Sequence, residues 1–184
     1  MENLKLQDVI DSRLLNERKV FLWGQVDDKS AKYVVERLLY LESIAPKKEI
    51  QLIINSPGGY VTSGFAIYDA IRGISSPVST VCTGIAASMG AILLSAGTKG
   101  RRFVLPHARV MIHQPSGGAG GTAADIEIQM DEIIKTRNLG AQILAENCGQ
   151  PVEKIMKDFN RDHWMSAEES TEYGIVDGIL NSIV

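Results

Sequence analysis

An α/β protein with a largely parallel sheet is the fold that this sequence predicts, on three observations. Short apolar runs rich in β-branched residues recur at 20–26, 49–55 and 77–82 and read as strands. Segments with helical start and stop signals alternate with them, the order expected of parallel strands joined by crossover helices. Third, the turn Ser56-Pro57-Gly58-Gly59-Tyr60 and the stretch Thr83-Gly84-Ile85-Ala86-Ala87-Ser88-Met89-Gly90-Ala91 each leave the carboxyl end of such a strand. Open α/β sheets build their sites there. The two turns are therefore expected to meet in space.

Taken in order, residues 9–18 form a short helix, with Val9, Ile10, Leu14 and Leu15 near helical spacing. The first strand follows. Asp27-Asp28 opens the next helix; Val34, Val35, Leu38, Leu39 and Leu41 make its apolar stripe up to Ile44, and Pro46 stops it. After the second strand and the Gly58-Gly59 turn comes a helix over 61–71. The third strand, 77–82, gives way to the small-residue turn and then to the strong helix formers Ala91 to Ala96, with Gly97 at the C-terminal cap. Two short strands, 102–105 and 109–114, flank Pro106, and 116–121 is Gly-rich and irregular. Thr122-Ala123-Ala124-Asp125 resembles a capping box and opens a helix to about Asn147, long enough to project and meet another subunit. Pro151 occupies a first helical position in a helix through Phe159, and Ser166-Ala167-Glu168-Glu169 caps a last short helix ended by Gly174. The chain, 1–184, reads as one domain without repeats or low-complexity segments.

Composition removes several function classes. The net charge is −3 and basic residues gather only into pairs such as Lys47-Lys48 and Arg101-Arg102, so no nucleic-acid partner is expected. Cys82 and Cys148 show neither metal spacing nor a disulfide pattern, and three histidines without a ligand cluster imply no metal. Met1 to Lys5 contains no apolar leader and no apolar run approaches the length of a membrane span, so a cytoplasmic protein without a membrane partner is the expectation.

Ser88 sits where a strand gives way to a helix, among residues small enough to let backbone approach a bound group. It reads as a helix cap or as a nucleophile. A nucleophile needs a base and a group that orients the base. His107 reads as a surface loop residue, whereas His113 ends a strand just before Pro115 and reads as a strand-end histidine or as that base. Asp162, before a capped helix, reads as a loop aspartate or as the orienting carboxylate.

Four motifs together carry a resemblance: Gly84-Ile85-Ala86-Ala87-Ser88-Met89-Gly90-Ala91, Arg109-Val110-Met111-Ile112-His113-Gln114-Pro115, Ile54-Asn55-Ser56-Pro57-Gly58-Gly59, and Ser166-Ala167-Glu168-Glu169 with Tyr173-Gly174. In order and spacing they resemble the proteolytic subunit family of the Clp protease, ClpP, from about Ser12 to Leu180. The resemblance implies a crotonase-like superhelix of repeated strand-strand-helix units with a projecting handle, here 114–148, behind an N-terminal segment and short helix, 1–18. It implies a serine endopeptidase in which Ser88 is the nucleophile, His113 the base and Asp162 its orienter. The backbone N–H groups of Gly59 and Met89 would form the oxyanion hole, and a Gly-rich handle strand, Gly117, Gly118 and Ala119, would pair with substrate backbone. It implies two stacked heptameric rings fed with unfolded polypeptide by an AAA+ Clp ATPase, with no cofactor in this subunit because ATP is used only by the partner.

The chain departs from the family pattern at sites that serve partners. Its N-terminal segment is short, Gln51 and Ile53 stand where docking aromatics are usual, Gly73 replaces another aromatic, and Asn160 replaces an acid that pairs across the ring interface. These departures imply a competent peptidase that docks an unfoldase weakly, or one that works in a mixed assembly beside a paralogue. Two alternatives are weighed against the peptidase. One is an acyl-CoA enzyme of the related hydratase and isomerase superfamily, against which the serine–histidine pair argues. The other is a non-catalytic subunit in a mixed ring.

Overall fold

The computed structural model describes residues 5–182; the reading of Met1 to Leu4 lies outside them. In chain order the elements are α1 (Leu6–Asn16), β1 (Lys19–Trp23), α2 (Asp28–Ile44), β2 (Ile50–Ser56), α3 (Val61–Gly73), β3 (Val78–Ala87) and α4 (Met89–Ser95). The second half comprises β4 (Arg102–Val104), β5 (Arg109–Ile112), α5 (Ala123–Cys148), α6 (Val152–Asp158), β6 (His163–Met165), α7 (Ala167–Tyr173) and β7 (Gly178–Ile179). Strands β1, β2, β3, β4 and β7 lie side by side in that order, all parallel, while β5 pairs in parallel with β3 and antiparallel with β6.

β3 has two sets of neighbours. Thr80, Val81 and Cys82 pair with β4, whereas Ile85, Ala86 and Ala87 pair with β5. Against β2 the register slips at the same place, with Ile54 opposite Cys82 but Ser56 opposite Ala86. Gly84 sits in the slip with φ 70°, and a side-chain carbon there would come 2.7 Å from Asn55 Oδ1. Only glycine tolerates both conditions. The expectation that 83–87 is a turn is thus corrected: glycine lets the strand bend and continue to Ala87, and α4 starts directly after Ser88.

The core lies between this sheet and the helices packed on it. α2 buries Ala31, Val34, Leu38 and Leu41, a stripe at helical spacing. Each buried leucine contributes roughly 1.5–3 kcal/mol. Leu39 and Ile44, expected in the same stripe, are exposed because they fall outside that narrow arc. α4 is buried on nearly all sides, and α3 presses against it so closely that a side-chain carbon on Gly64 would lie 2.2 Å from Met89 Cε. Asp27, Thr122 and Ser166 each cap their helices as expected, while Pro151 stands one place outside α6, at its N-cap.

Two elements leave much of their length outside the core. α1 starts at Leu6, earlier than expected, and buries no residue; Val9 and Ile10 face outward. α5 has 26 residues, an axial length of about 39 Å. Its buried residues begin only at Gly140, and Ile126, Ile128, Met130, Ile134 and Leu139 are exposed. The Gly-rich segment before it forms no strand and is irregular, as its composition predicts. Instead, the Gln129 amide bonds both the N–H and the C=O of Gly120 at 3.0 Å, occupying one backbone site from α5.

Buried charge ties the framework together. α2 has no basic residue in its last turn, and Arg18 serves in its place, donating to the carbonyls of Leu41 and Ala45 at that end and to those of Lys48 and Glu49. Arg102, with a side chain only 4% exposed, makes a bidentate pair with Asp177 at 2.9 and 2.6 Å and donates to Asn147 O at the end of α5. Asp177 also accepts from the N–H groups of Gly100 and Arg102. Burial raises the Asp177 pKa, but the bonds from Arg102 and Gly100 outweigh it and hold the carboxyl below its usual range.

A depressed carboxylate pKa contributes stability that is present above the unfolded value of about 4 and fades as pH falls through the folded value. Asp177→Ala, which strands Arg102 without a counter-charge, is expected to cost about 3–5 kcal/mol at pH 7. Chemical denaturation at pH 7 and pH 3 checks this, since the gap between the two proteins narrows at the lower pH.

Candidate active site

The bend in β3 decides what lies beside its end. Beyond Gly84 the strand runs along β5, with Ala87 opposite Met111, and the next N–H, that of Ser88, donates to Met111 O at 2.9 Å. His113 follows one residue after β5 ends. On the other side of β5, the antiparallel β6 sets Ile112 opposite His163, which brings the preceding Asp162 level with His113. Three neighbouring strand ends therefore deliver one side chain each to one place.

The contacts form a continuous chain. His113 Nε2 lies 2.9 Å from Ser88 Oγ, and His113 Nδ1 lies 3.0 Å from Asp162 Oδ1. The His113 side chain is 27% exposed and that of Asp162 59%. His107 lies elsewhere, beside a cleft with Leu105 and Pro106, and His163 turns to the Tyr173 ring, 5.5 Å between centroids. Burial pushes the thiols of Cys82 and Cys148 up to about 12, so neither is a thiolate at neutral pH.

Ser88 occupies the N-cap position of α4, yet its hydroxyl makes no capping bond. The cap reading is corrected; the oxygen is turned to His113. Its backbone is unusual as well, with φ 55° and ψ −122°. A non-glycine residue in such a region costs of order 1–3 kcal/mol and persists only where its surroundings impose it. Here they do: β3 pairing holds one side and the buried α4 the other. A strained strand-to-helix turn raises a serine hydroxyl above the backbone, as nucleophile elbows do.

The two small-residue turns meet as expected. A side-chain carbon on Gly58, whose φ is 90°, would lie 2.7 Å from Ser88 Cβ and 3.0 Å from Met89 N. Gly58 N–H donates to Ser56 Oγ, Gly58 O accepts from Val26, and Tyr60 N–H donates to Val26 O. None of these bonds uses the Gly59 N–H. Met89, the first residue of α4, has an amide that its helix does not pair. A side-chain carbon on Gly59 would lie 2.2 Å from Val26 O, so this turn admits no larger residue without moving.

Beside Ser88 and His113 is a cavity of about 30 Å³ whose walls include Val61, Phe65, Ile92, Pro115 and Phe159. These apolar walls were not singled out in the sequence; Val61 and Phe65 sit one helical turn apart on α3, the one spacing signal that marked them. Pro115 leads from the cavity into Gly117, Gly118 and Ala119, which are exposed or partly so and belong to no strand. A wider groove of about 440 Å³ runs along Phe21, Trp23 and Tyr33 and contains no serine–histidine pair.

The backbone strain at Ser88 has a measurable consequence. Glycine adopts positive φ freely and alanine does not. Ser88→Gly is expected to be more stable than Ser88→Ala by about 1 kcal/mol, net of glycine's entropic cost. Paired denaturant melts of the two variants check it.

No helix among the described residues is long and apolar enough to cross a membrane. Residues 2–182, nearly the whole chain, match the family model described as Clp protease. That family is one of serine peptidases, and a mostly parallel seven-stranded sheet with a projecting helix agrees with its fold. The protein therefore belongs to the Clp protease family.

Proposed function

We propose that the chain is a serine endopeptidase subunit in which Ser88 is the nucleophile, His113 the general base and Asp162 the carboxylate that orients it. The observation that carries this reading is the unbroken hydrogen-bonded chain of 2.9 and 3.0 Å from serine through imidazole to carboxylate. With Asp162 accepting from Nδ1–H, Nε2 is left free to take the Ser88 proton as Oγ attacks a peptide carbonyl. The amides of Gly59 and Met89 receive the developing oxyanion, a role in which one donor is worth roughly 3–4 kcal/mol. The imidazolium returns its proton to the leaving amine. Water, deprotonated by the same ring, then hydrolyses the acyl-enzyme.

The apolar cavity, about 30 Å³, has room for a methyl-sized group next to the scissile bond. The backbone of Gly117, Gly118 and Ala119 offers main-chain hydrogen bonds to an extended peptide, a mode that reads few side chains. The outward apolar face of α5 suits packing between two heptameric rings. In this reading the unfolded polypeptide is delivered by an AAA+ Clp ATPase, which alone uses ATP, and the assembly works in the cytoplasm.

The docking of that ATPase is weakened. A side-chain carbon on Gly73 would meet nothing within 4 Å, so the position is open and presents no aromatic surface. Gln51 Oε1 is buried without a hydrogen-bond partner, where an apolar ring would leave no polar atom stranded. A homo-oligomer of this chain accordingly cleaves short peptides but degrades folded proteins poorly, unless a paralogue in the ring supplies the docking surface. Efficient unfoldase-driven degradation by the pure subunit overturns this part.

For the chemistry, a fluorophosphonate probe is expected to label the unmodified protein at Ser88, with labelling abolished in Ser88→Ala. Peptide hydrolysis by Ser88→Ala is expected to fall by about 10⁴-fold or more. Gly59→Ala, which drives the turn off Val26, is expected to lower kcat by about 10²–10³-fold. An unmodified protein that the probe leaves unlabelled supports the non-catalytic alternative instead.

A further inference from the structure

We propose that Gln114 and Asn160 are positioning residues for the candidate active site, forming a clamp that holds Asp162 against His113 within a single chain. The inference rests on the nucleophile–base–carboxylate reading above.

Asp162 has little to hold its side chain in place. Its carboxylate is 59% exposed and, among the described residues, its recorded polar partner is His113 alone. A surface carboxylate with one partner samples other rotamers readily, because a single solvent-exposed hydrogen bond contributes only about 1 kcal/mol. The position of Asp162 therefore depends on the backbone of residues 159–163. That backbone is pinned at both ends. At 163 it enters β6, paired through His163 with Ile112. At 159 and 160 it is held by Gln114, the residue after the base. Gln114 N–H donates to Phe159 O at 2.6 Å, and its side-chain amide donates to Asn160 O at 2.9 Å and to Asn160 Oδ1 at 3.2 Å.

The two segments thus close into a small ring of bonds, with His113 and Gln114 on one side and 159–163 on the other. The neighbours in sequence act as a pair: His113 meets the carboxylate while Gln114 holds the loop that carries it. Only two residues, Asn160 and Arg161, separate the clamped Phe159 carbonyl from Asp162, so loosening at Gln114 is transmitted to the carboxylate with little damping. Asn160 suits the position chemically. An amide donor needs an acceptor, and Asn160 supplies two, its carbonyl and its side-chain oxygen, on one residue. Both acceptors are engaged inside its own chain, so Asp162 is aligned by that chain's own hydrogen bonds.

Fluorophosphonate labelling rates at Ser88, peptide kcat and KM, and melting temperature test the clamp in the assembled protein. Gln114→Ala loses both side-chain bonds, and its labelling rate and kcat are expected to fall about 10–100-fold with KM little changed, as for a misplaced catalytic group. Asn160→Ala keeps its carbonyl as acceptor and is expected to lose only about threefold to tenfold. Asn160→Asp keeps an oxygen acceptor and recovers most of that loss, a rescue that mere destabilisation of the loop does not produce. The double variant Gln114→Ala/Asn160→Ala is expected to be no slower than Gln114→Ala alone, since the two act through one set of bonds.

Labelling of Gln114→Ala at the unmodified rate overturns the clamp while leaving the nucleophile assignment standing. So does Asn160→Asp behaving like Asn160→Ala. If Gln114→Ala fails to fold, the two Asn160 variants decide the matter. An unmodified protein that is not labelled at Ser88 overturns the underlying reading, and the clamp with it.

Discussion

The bend of β3 at Gly84 is the constraint on which the rest depends. A straight strand would keep β4 as its neighbour along its whole length and would send Ser88 out beside the end of β4. Because the strand changes partner, its last three residues run along β5 instead, and the serine emerges beside His113. The bend in turn depends on one residue without a side chain, since Asn55 Oδ1 occupies the space a Cβ would need. That Asn55 oxygen also accepts from Ile85 N–H at 3.2 Å, so the atom that excludes larger residues fastens the bend it requires.

Close approach governs the remainder of the site. Gly58 and Gly90 bring backbone against backbone: an added carbon would meet Ala87 O at 2.6 Å from Gly58 and Ser56 O at 2.9 Å from Gly90. Tight apposition of this kind leaves the turn at Ser88 no room to relax, which is how an unfavourable φ survives. The buried α4 supplies the anchoring. Six of its seven residues are buried, so the turn before it cannot unwind without exposing that surface. The cost of the strained serine is thus met by ordinary apolar burial one turn away.

How much of this was legible in the sequence differs by kind of signal. Strong periodicity and capping chemistry placed the long elements: the box at Thr122 and Asp125 opens α5 where expected, and Asp27 opens α2. The meeting of the Gly58-Gly59 and Ser88 turns followed from their shared position at strand ends. The strand β6 did not show itself, because three residues, His163, Trp164 and Met165, carry no measurable alternation and pair only through a partner distant in sequence. Without β6, Asp162 is a plain loop aspartate; its role entered through the family resemblance rather than through any local pattern. The bend at Gly84 was hidden for the converse reason. Thr83 to Ala87 has the composition of a turn, and only sheet pairing, a tertiary effect, makes it strand.

A contrast remains between the parts of the chain that are complete and those that are not. The serine, imidazole and carboxylate, the amides of Gly59 and Met89 beside them, and the bonds from Gln114 to the 159–160 segment all lie within one chain. Leu6, Val9 and Ile10 of α1, the apolar residues on the outer half of α5, and Gly117 to Ala119 are exposed. Chemistry demands placement to a fraction of an ångström, which covalent connection and a shared sheet supply most reliably. Substrate gathering and enclosure demand reach and area, which a single domain of this size lacks. A chain built this way holds its serine, imidazole and carboxylate in register and leaves those other surfaces exposed. Gln51 and Gly73 take no part in the hydrogen-bonded chain of Ser88, His113 and Asp162, so departures there leave the geometry of those three groups as it is.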